Sequence, residues 1–184
     1  MKRLLLWSGM ISCLSCSISF AAITYTATRA VGTGIANISI TTDGTIGVIA
    51  TANIIGWNIA ISDSTDAFTL LGPISGGNSG VRVTGSDLTA SATDLRFNFD
   101  SGSFVSYLTI QSPDVGTDGH FYAVQTNGNF DGNGPAEVID PRTHFDTIDR
   151  SPRSGNMVIA SVVPEPSSLA LCMLGALGVW IRRR

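Results

Sequence analysis

The feature that most narrows the fold is strict alternation of apolar and polar residues. Ala36, Ile38 and Ile40 alternate with Asn37, Ser39 and Thr41. Ile55, Trp57, Ile59 and Ile61 alternate with Gly56, Asn58, Ala60 and Ser62, and Leu95, Phe97 and Phe99 with Arg96, Asn98 and Asp100. Successive side chains of an extended chain point to opposite faces, so a period of two buries one face of a strand and wets the other. A helix needs an apolar stripe with a period of 3.6, and no central segment sustains one. Further strands are predicted over residues 23–30, 67–71, 81–84, 104–111, 120–126 and 156–162, where β-branched and aromatic residues concentrate.

Between these segments stand turn signals. Asp43-Gly44 is the strongest, because both residues tolerate the positive φ of a tight hairpin turn. Residues 63–66 read as a longer hairpin loop, and Gly72-Pro73 with Gly76-Gly77-Asn78 as an irregular one. Residues 126–153, rich in Gly, Asn, Asp and Pro, read as a long loop and the most mobile part. About nine short strands at this spacing predict an all-β fold, a single sandwich or jelly-roll-like domain.

The two ends follow other rules. Lys2 and Arg3 precede an apolar stretch over residues 4–20, and Ser19-Phe20-Ala21 puts small side chains at alternate positions. That is the charge, length and cleavage chemistry of a secretory signal peptide over residues 1–21, cut after Ala21 or its neighbour Ala22 by signal peptidase after passage through the Sec machinery. A retained N-terminal anchor would sit at the short edge of a span. A lipid on Cys13 or Cys16 would need a better lipobox than the residues before them supply.

All three cysteines, Cys13, Cys16 and Cys172, lie in the apolar ends. The predicted exported body, residues 22–163, therefore has no disulfide framework and no thiolate zinc site, and must fold on its apolar core. That body carries six arginines, no lysine and thirteen acidic residues, a net charge of −7. It lacks the basic patch that nucleic acid requires, so no nucleic-acid partner is expected.

At the other end Pro164, Glu165 and Pro166 precede two serines, an apolar run over residues 169–181, and Arg182, Arg183 and Arg184. Ser167 and Ser168 can cap a helix, Trp180 suits a membrane boundary, and the arginines would stop the chain on the cytoplasmic side, leaving the body outside. At 1.5 Å per residue the helix covers about 20 Å, less than the hydrocarbon core, which suits a temporary transmembrane anchor. Pro-Glu-Pro, serines, a short apolar helix and a terminal arginine cluster resemble the PEP-CTERM sorting signal of Gram-negative bacteria. The resemblance implies that an exosortase reads residues 164–184, and that the protein passes transiently through the inner membrane to the cell surface or extracellular matrix. The alternative is an ordinary tail anchor. "TTDGTIGVI", "NIIGWNIAI" and "LTASATDLRFNF" also resemble a β-rich body attached to such tails, one with no activity to carry over.

The body offers little chemistry. Asp131-Gly132-Asn133-Gly134 looks like part of a calcium loop, yet Ala136 and Val138 stand where further oxygens belong. His120 and His144, even beside Asp140 or Asp146, fall short of the three protein ligands a catalytic zinc takes. Ser79 in "GGNSG" lacks the spacing of a nucleophile elbow. Among thirteen acids a carboxylate pair can always be drawn, but sequence does not fix its separation. No catalytic residue, metal ligand or cofactor is assigned, and the chain is expected not to be an enzyme. The expected function is that of an exported surface or matrix protein with a structural or adhesive body. The alternative is a carbohydrate-binding module for exopolysaccharide, with Tyr107, Tyr122 or Trp57 presented to sugars, although Trp57 alternates with isoleucines as a core residue would. A hydrolase is the third reading.

Overall fold

The computed structural model describes residues 21–102, 105–113, 119–127, 133–142 and 148–162. Among them are thirteen strands: β1 (Ile23–Val31), β2 (Gly34–Thr42), β3 (Gly47–Val48), β4 (Ile54–Ser62), β5 (Ala67–Leu71), β6 (Gly80–Thr84), β7 (Leu88–Ala90), β8 (Asp94–Asn98), β9 (Tyr107–Ser112), β10 (His120–Gln125), β11 (Ala136–Asp140), β12 (Asp149–Pro152) and β13 (Asn156–Val162). One 3-10 turn, Thr51–Asn53, interrupts them. The all-β expectation holds; the expected number of about nine strands is too low.

An eight-stranded sheet runs β3-β7-β8-β13-β1-β2-β4-β5 and a five-stranded sheet β12-β11-β10-β9-β6, with the pairings antiparallel. One apolar core joins them: Tyr25, Ile38, Ile40, Trp57, Ile59, Leu95 and Phe97 come from the large sheet and Leu108, Ile110, Tyr122, Val124 and Ile139 from the small one. The two sheets therefore pack face to face as a sandwich. Each fully buried Ile, Leu or Phe contributes about 1.5–3 kcal/mol toward folding, which is how a body without cysteines holds together.

Four corrections carry physical reasons. First, residues 126–153 are not one long loop: β11 and β12 lie inside them. Five residues of β11, all buried, are outnumbered by the Gly, Asn and Pro of their flanks, so average composition hides the strand. Second, Asp43-Gly44 is a turn, with Gly44 at φ 88° and the Asp43 carboxylate accepting from Thr45 N–H at 2.9 Å. It does not close a hairpin, because β3 pairs with β7 on the far edge of the large sheet. The tight two-residue hairpin is Gly32-Thr33, where Val31 pairs with Gly34 and Gly32 sits at φ 59°, a left-handed conformation that glycine adopts without strain. Third, β3 and β7 have two and three residues, too few to display alternation.

Fourth, Ile55 does not belong to the core. Thr41 pairs with Gly56 but Thr42 with Ile54, so Ile55 is the extra residue of a β-bulge, which shifts the phase of the strand. Ile54 is 5% exposed and Ile55 37%. Beyond the bulge Trp57, Ile59 and Ile61 face inward as the alternation predicts.

No helix among the described residues is long and apolar enough to cross a membrane. The predicted signal peptide over residues 1–21, apart from Ala21, and the predicted transmembrane helix over 169–181 lie outside the described residues.

Candidate functional site

Pro164, Glu165, Pro166, Arg182, Arg183 and Arg184 also lie outside the described residues, but the strand that leads to them does not. Val162 ends β13 and is the Cα partner of Tyr25 near the start of β1. The Val162 N–H donates to Thr93 O at 2.8 Å. The two ends of the body thus leave the large sheet side by side, from adjacent central strands.

The residues singled out for chemistry have structural duties. Ser79 Oγ donates to Leu71 O and accepts from Trp57 Nε1, both at 2.9 Å, clipping the loop after β5 to the core. His120 opens β10 with its ring stacked on Phe68 at 3.6 Å between centroids and its Nδ1 2.9 Å from Pro141 O. Asp140 is buried and accepts the Arg142 N–H at 2.8 Å. Asp131, Gly132, His144 and Asp146 lie outside the described residues; Asn133 and Gly134 give their carbonyls to Arg150. Among the described residues no three His, Cys, Asp or Glu side chains converge as a metal site. Trp57 is 6% exposed and Tyr122 fully buried, so neither offers a ring to a ligand; Tyr107 is half-buried.

Sequence reasoning passed over Glu137, the one glutamate among the body's thirteen acids. Its carboxylate is fully buried between the sheets. Arg29 of β1 donates from Nε to both of its oxygens, at 2.6 and 2.8 Å. Arg153 donates from Nε at 3.1 Å and Nη2 at 2.9 Å, and Tyr122 OH at 3.0 Å. Arg29 Nη1 also donates to Val158 O and Arg153 Nη2 to Ala30 O. A dry charge is tolerated only when its lone pairs are met in this way. Burial, and next the Glu137 charge, hold the Tyr122 phenol well above its ordinary range. Among the described residues these bonds tie β11 to β1 through Arg29 and Glu137.

Among the described residues, the solvent face of the large sheet offers an uncharged polar surface. Here the polar half of the alternation stands in register: Thr26, Ser39 and Asn58 are successive cross-strand partners on β1, β2 and β4, and Thr28, Asn37 and Ala60 form the next row. Ala60 is small, and the rows border a shallow hollow of about 450 Å³. Thr28 Oγ1 donates to Asn37 Oδ1 at 2.8 Å. The side chains of Thr26, Ser39 and Asn58 make no hydrogen bond to any described residue, and no charged residue lines the hollow. The signal for this face was present in the sequence, since the outward half of the alternating runs on β2 and β4 is Ser, Thr or Asn with small residues such as Ala60, and never Lys or Glu.

Compared with known proteins, the chain matches no curated protein and no solved structure. One family does match: residues 162–184 fit the PEP-CTERM protein-sorting motif. That stretch includes Pro164, Glu165, Pro166 and the three terminal arginines. The motif implies sorting by an exosortase to the cell surface. The chain is thus a β-sandwich carrying a PEP-CTERM protein-sorting motif at its C-terminal end.

Proposed function

We propose that this is an exported, non-catalytic surface or matrix protein. A signal peptide over residues 1–21 starts export, residues 164–184 hold the chain briefly in the inner membrane for the exosortase, and the sandwich is the structural or adhesive cargo. The observation that carries the reading is the sorting motif at residues 162–184, which begins at the last residue of β13. The structural use of Ser79, His120 and Tyr122 supports a body that works by contact and not by catalysis. The test is replacement of Pro164 and Pro166 by Ala with Glu165→Gln in a host that has an exosortase. Export and insertion should persist while a precursor about twenty residues longer collects in the inner membrane. Unchanged mature size and location would reduce the tail to a plain anchor.

A second reading, binding of a neutral polysaccharide, is favoured by the uncharged row Thr26, Ser39 and Asn58. Strands lie about 4.8 Å apart, so a polymer laid across them meets a free hydroxyl or amide at each strand. With Trp57 and Tyr122 buried, contact would come from hydrogen bonds and not from stacking. Glycan-array binding that is lost in the Thr26→Ala, Ser39→Ala, Asn58→Ala variant supports this reading; binding that survives the variant removes the face from it.

A further inference from the structure

Strand β13 lies in the interior of the large sheet, between β8 and β1, and its last residue is tied on both sides. Val162 is paired with Tyr25 of β1, donates its N–H to Thr93 O at 2.8 Å, and packs against the core. The sorting motif matches from residue 162 onward, so the match begins inside the sheet. Only Val163 separates it from Pro164. Two residues of extended chain reach at most ~7 Å, so covalent connection alone keeps Pro164 within that distance of the end of β13.

That closeness creates a competition. An enzyme that captures a peptide in extended form uses main-chain hydrogen bonds and side-chain pockets along several residues. On the upstream side of Pro164 those groups belong to β13 and are already engaged with β1 and β8. Connectivity adds an order of events. The first strand, β1, pairs with the last, β13, so the large sheet closes only when residue 162 has emerged, with residues 163–184 still to follow.

We propose that the folded body restrains its own sorting: the end of β13 must leave the sheet before the exosortase can take up the motif. The proposal rests on the reading of the tail as an exosortase substrate. Strand ends open far more readily than strand centres, and a reaction that proceeds only from the open form is slowed by the fraction of chains that are open. The pairing of Val162 thereby sets how fast the chain is processed.

The experiment is a pulse-chase of the full chain in an exosortase-bearing host, following precursor to mature form. Six Gly/Ser residues inserted between Val163 and Pro164 leave the spacing from motif to arginines untouched and free the motif from the sheet. Conversion should then rise about tenfold or more. A second variant, Thr26→Cys with Ser161→Cys, joins two direct cross-strand partners at a separation a disulfide can span. It should slow conversion of the chain with native spacing, recover with reductant, and leave the chain with the insertion unaffected. An insertion that does not raise the rate overturns the proposal. So does a clamp without effect, since relief by the insertion alone would then reflect crowding and not strand release. The Pro164→Ala, Glu165→Gln, Pro166→Ala chain, run in parallel, separates the two levels: if it is processed normally, the exosortase reading itself falls.

Discussion

In the large sheet, β1, β2 and β4 turn Thr26, Ser39 and Asn58 to solvent and Tyr25, Ile38 and Ile59 to the core. In the small sheet the corresponding second face is buried as well: Phe121, Ala123, Ala136 and Val138 form their own apolar cluster with Ile148 packed on it, beside the buried Thr109, Gln111 and Gln125. A one-sided sheet needs only a period of two and tolerates any small polar residue outside. A two-sided sheet needs apolar or hydrogen-bonded groups everywhere, and so loses the period. The large sheet can therefore present a surface to a partner, while the small sheet serves as the interior support on which Glu137 is held.

Charge should break this contrast most sharply. Val138→Asp places a carboxylate in the second cluster of the small sheet, where Val138 is fully buried, and an unpaired buried charge costs about 3–5 kcal/mol. Ser39→Asp puts the same group on the open face of the large sheet and should stay within about 0.5 kcal/mol. Urea unfolding of the purified body gives both values. Equal losses would mean that the two faces are alike.

The bulge sharpens the contrast within one strand. Ile54→Ala removes a core side chain and should cost about 2–5 kcal/mol. Ile55→Ala, on the neighbouring exposed residue, should cost under about 1 kcal/mol. Similar losses at both positions would restore Ile55 to the core and remove the bulge.

These two residues also mark the limit of what sequence reveals. Alternation located β2, β4 and β8 and most of their inward faces, because one-sided burial writes a period into the chain. It misplaced Ile55, since nothing in a run of two isoleucines says which is the inserted one. It hid β11, whose Ala136, Glu137, Val138, Ile139 and Asp140 are all buried and hence have no period to read. The sorting motif was fully legible, because a linear signal is read as a sequence and not as a fold. The Thr26, Ser39 and Asn58 row was legible as composition but not as a site, since register between strands is a long-range fact. The buried duty of Glu137 left no signal beyond its being the body's lone glutamate, set between Ala136 and Val138.

The smallest effect is silent at neutral pH and concerns the join between the two sheets. Tyr25 and Tyr122 both have phenols raised above the ordinary 10.0, in each case first by burial. Tyr122 donates to Glu137 Oε1 at 3.0 Å, so ionising it would set two negative groups together in a dry space, against which Arg29 and Arg153 pull only partly. The folded state keeps these protons longer than the unfolded chain does. Their contribution to stability is therefore whole below pH 10.0 and is lost as pH rises through that value toward the folded one. Unfolding midpoints should hold level up to the ordinary tyrosine range and decline beyond it. Tyr122→Phe should flatten that decline, leaving the part due to Tyr25, at a cost near neutrality of about 1 kcal/mol for the lost hydrogen bond. An alkaline decline identical in the variant would mean that water reaches Glu137. The carboxylate would then be no dry pin between the sheets, and the two-sided burial of the small sheet would stop short of its inner edge.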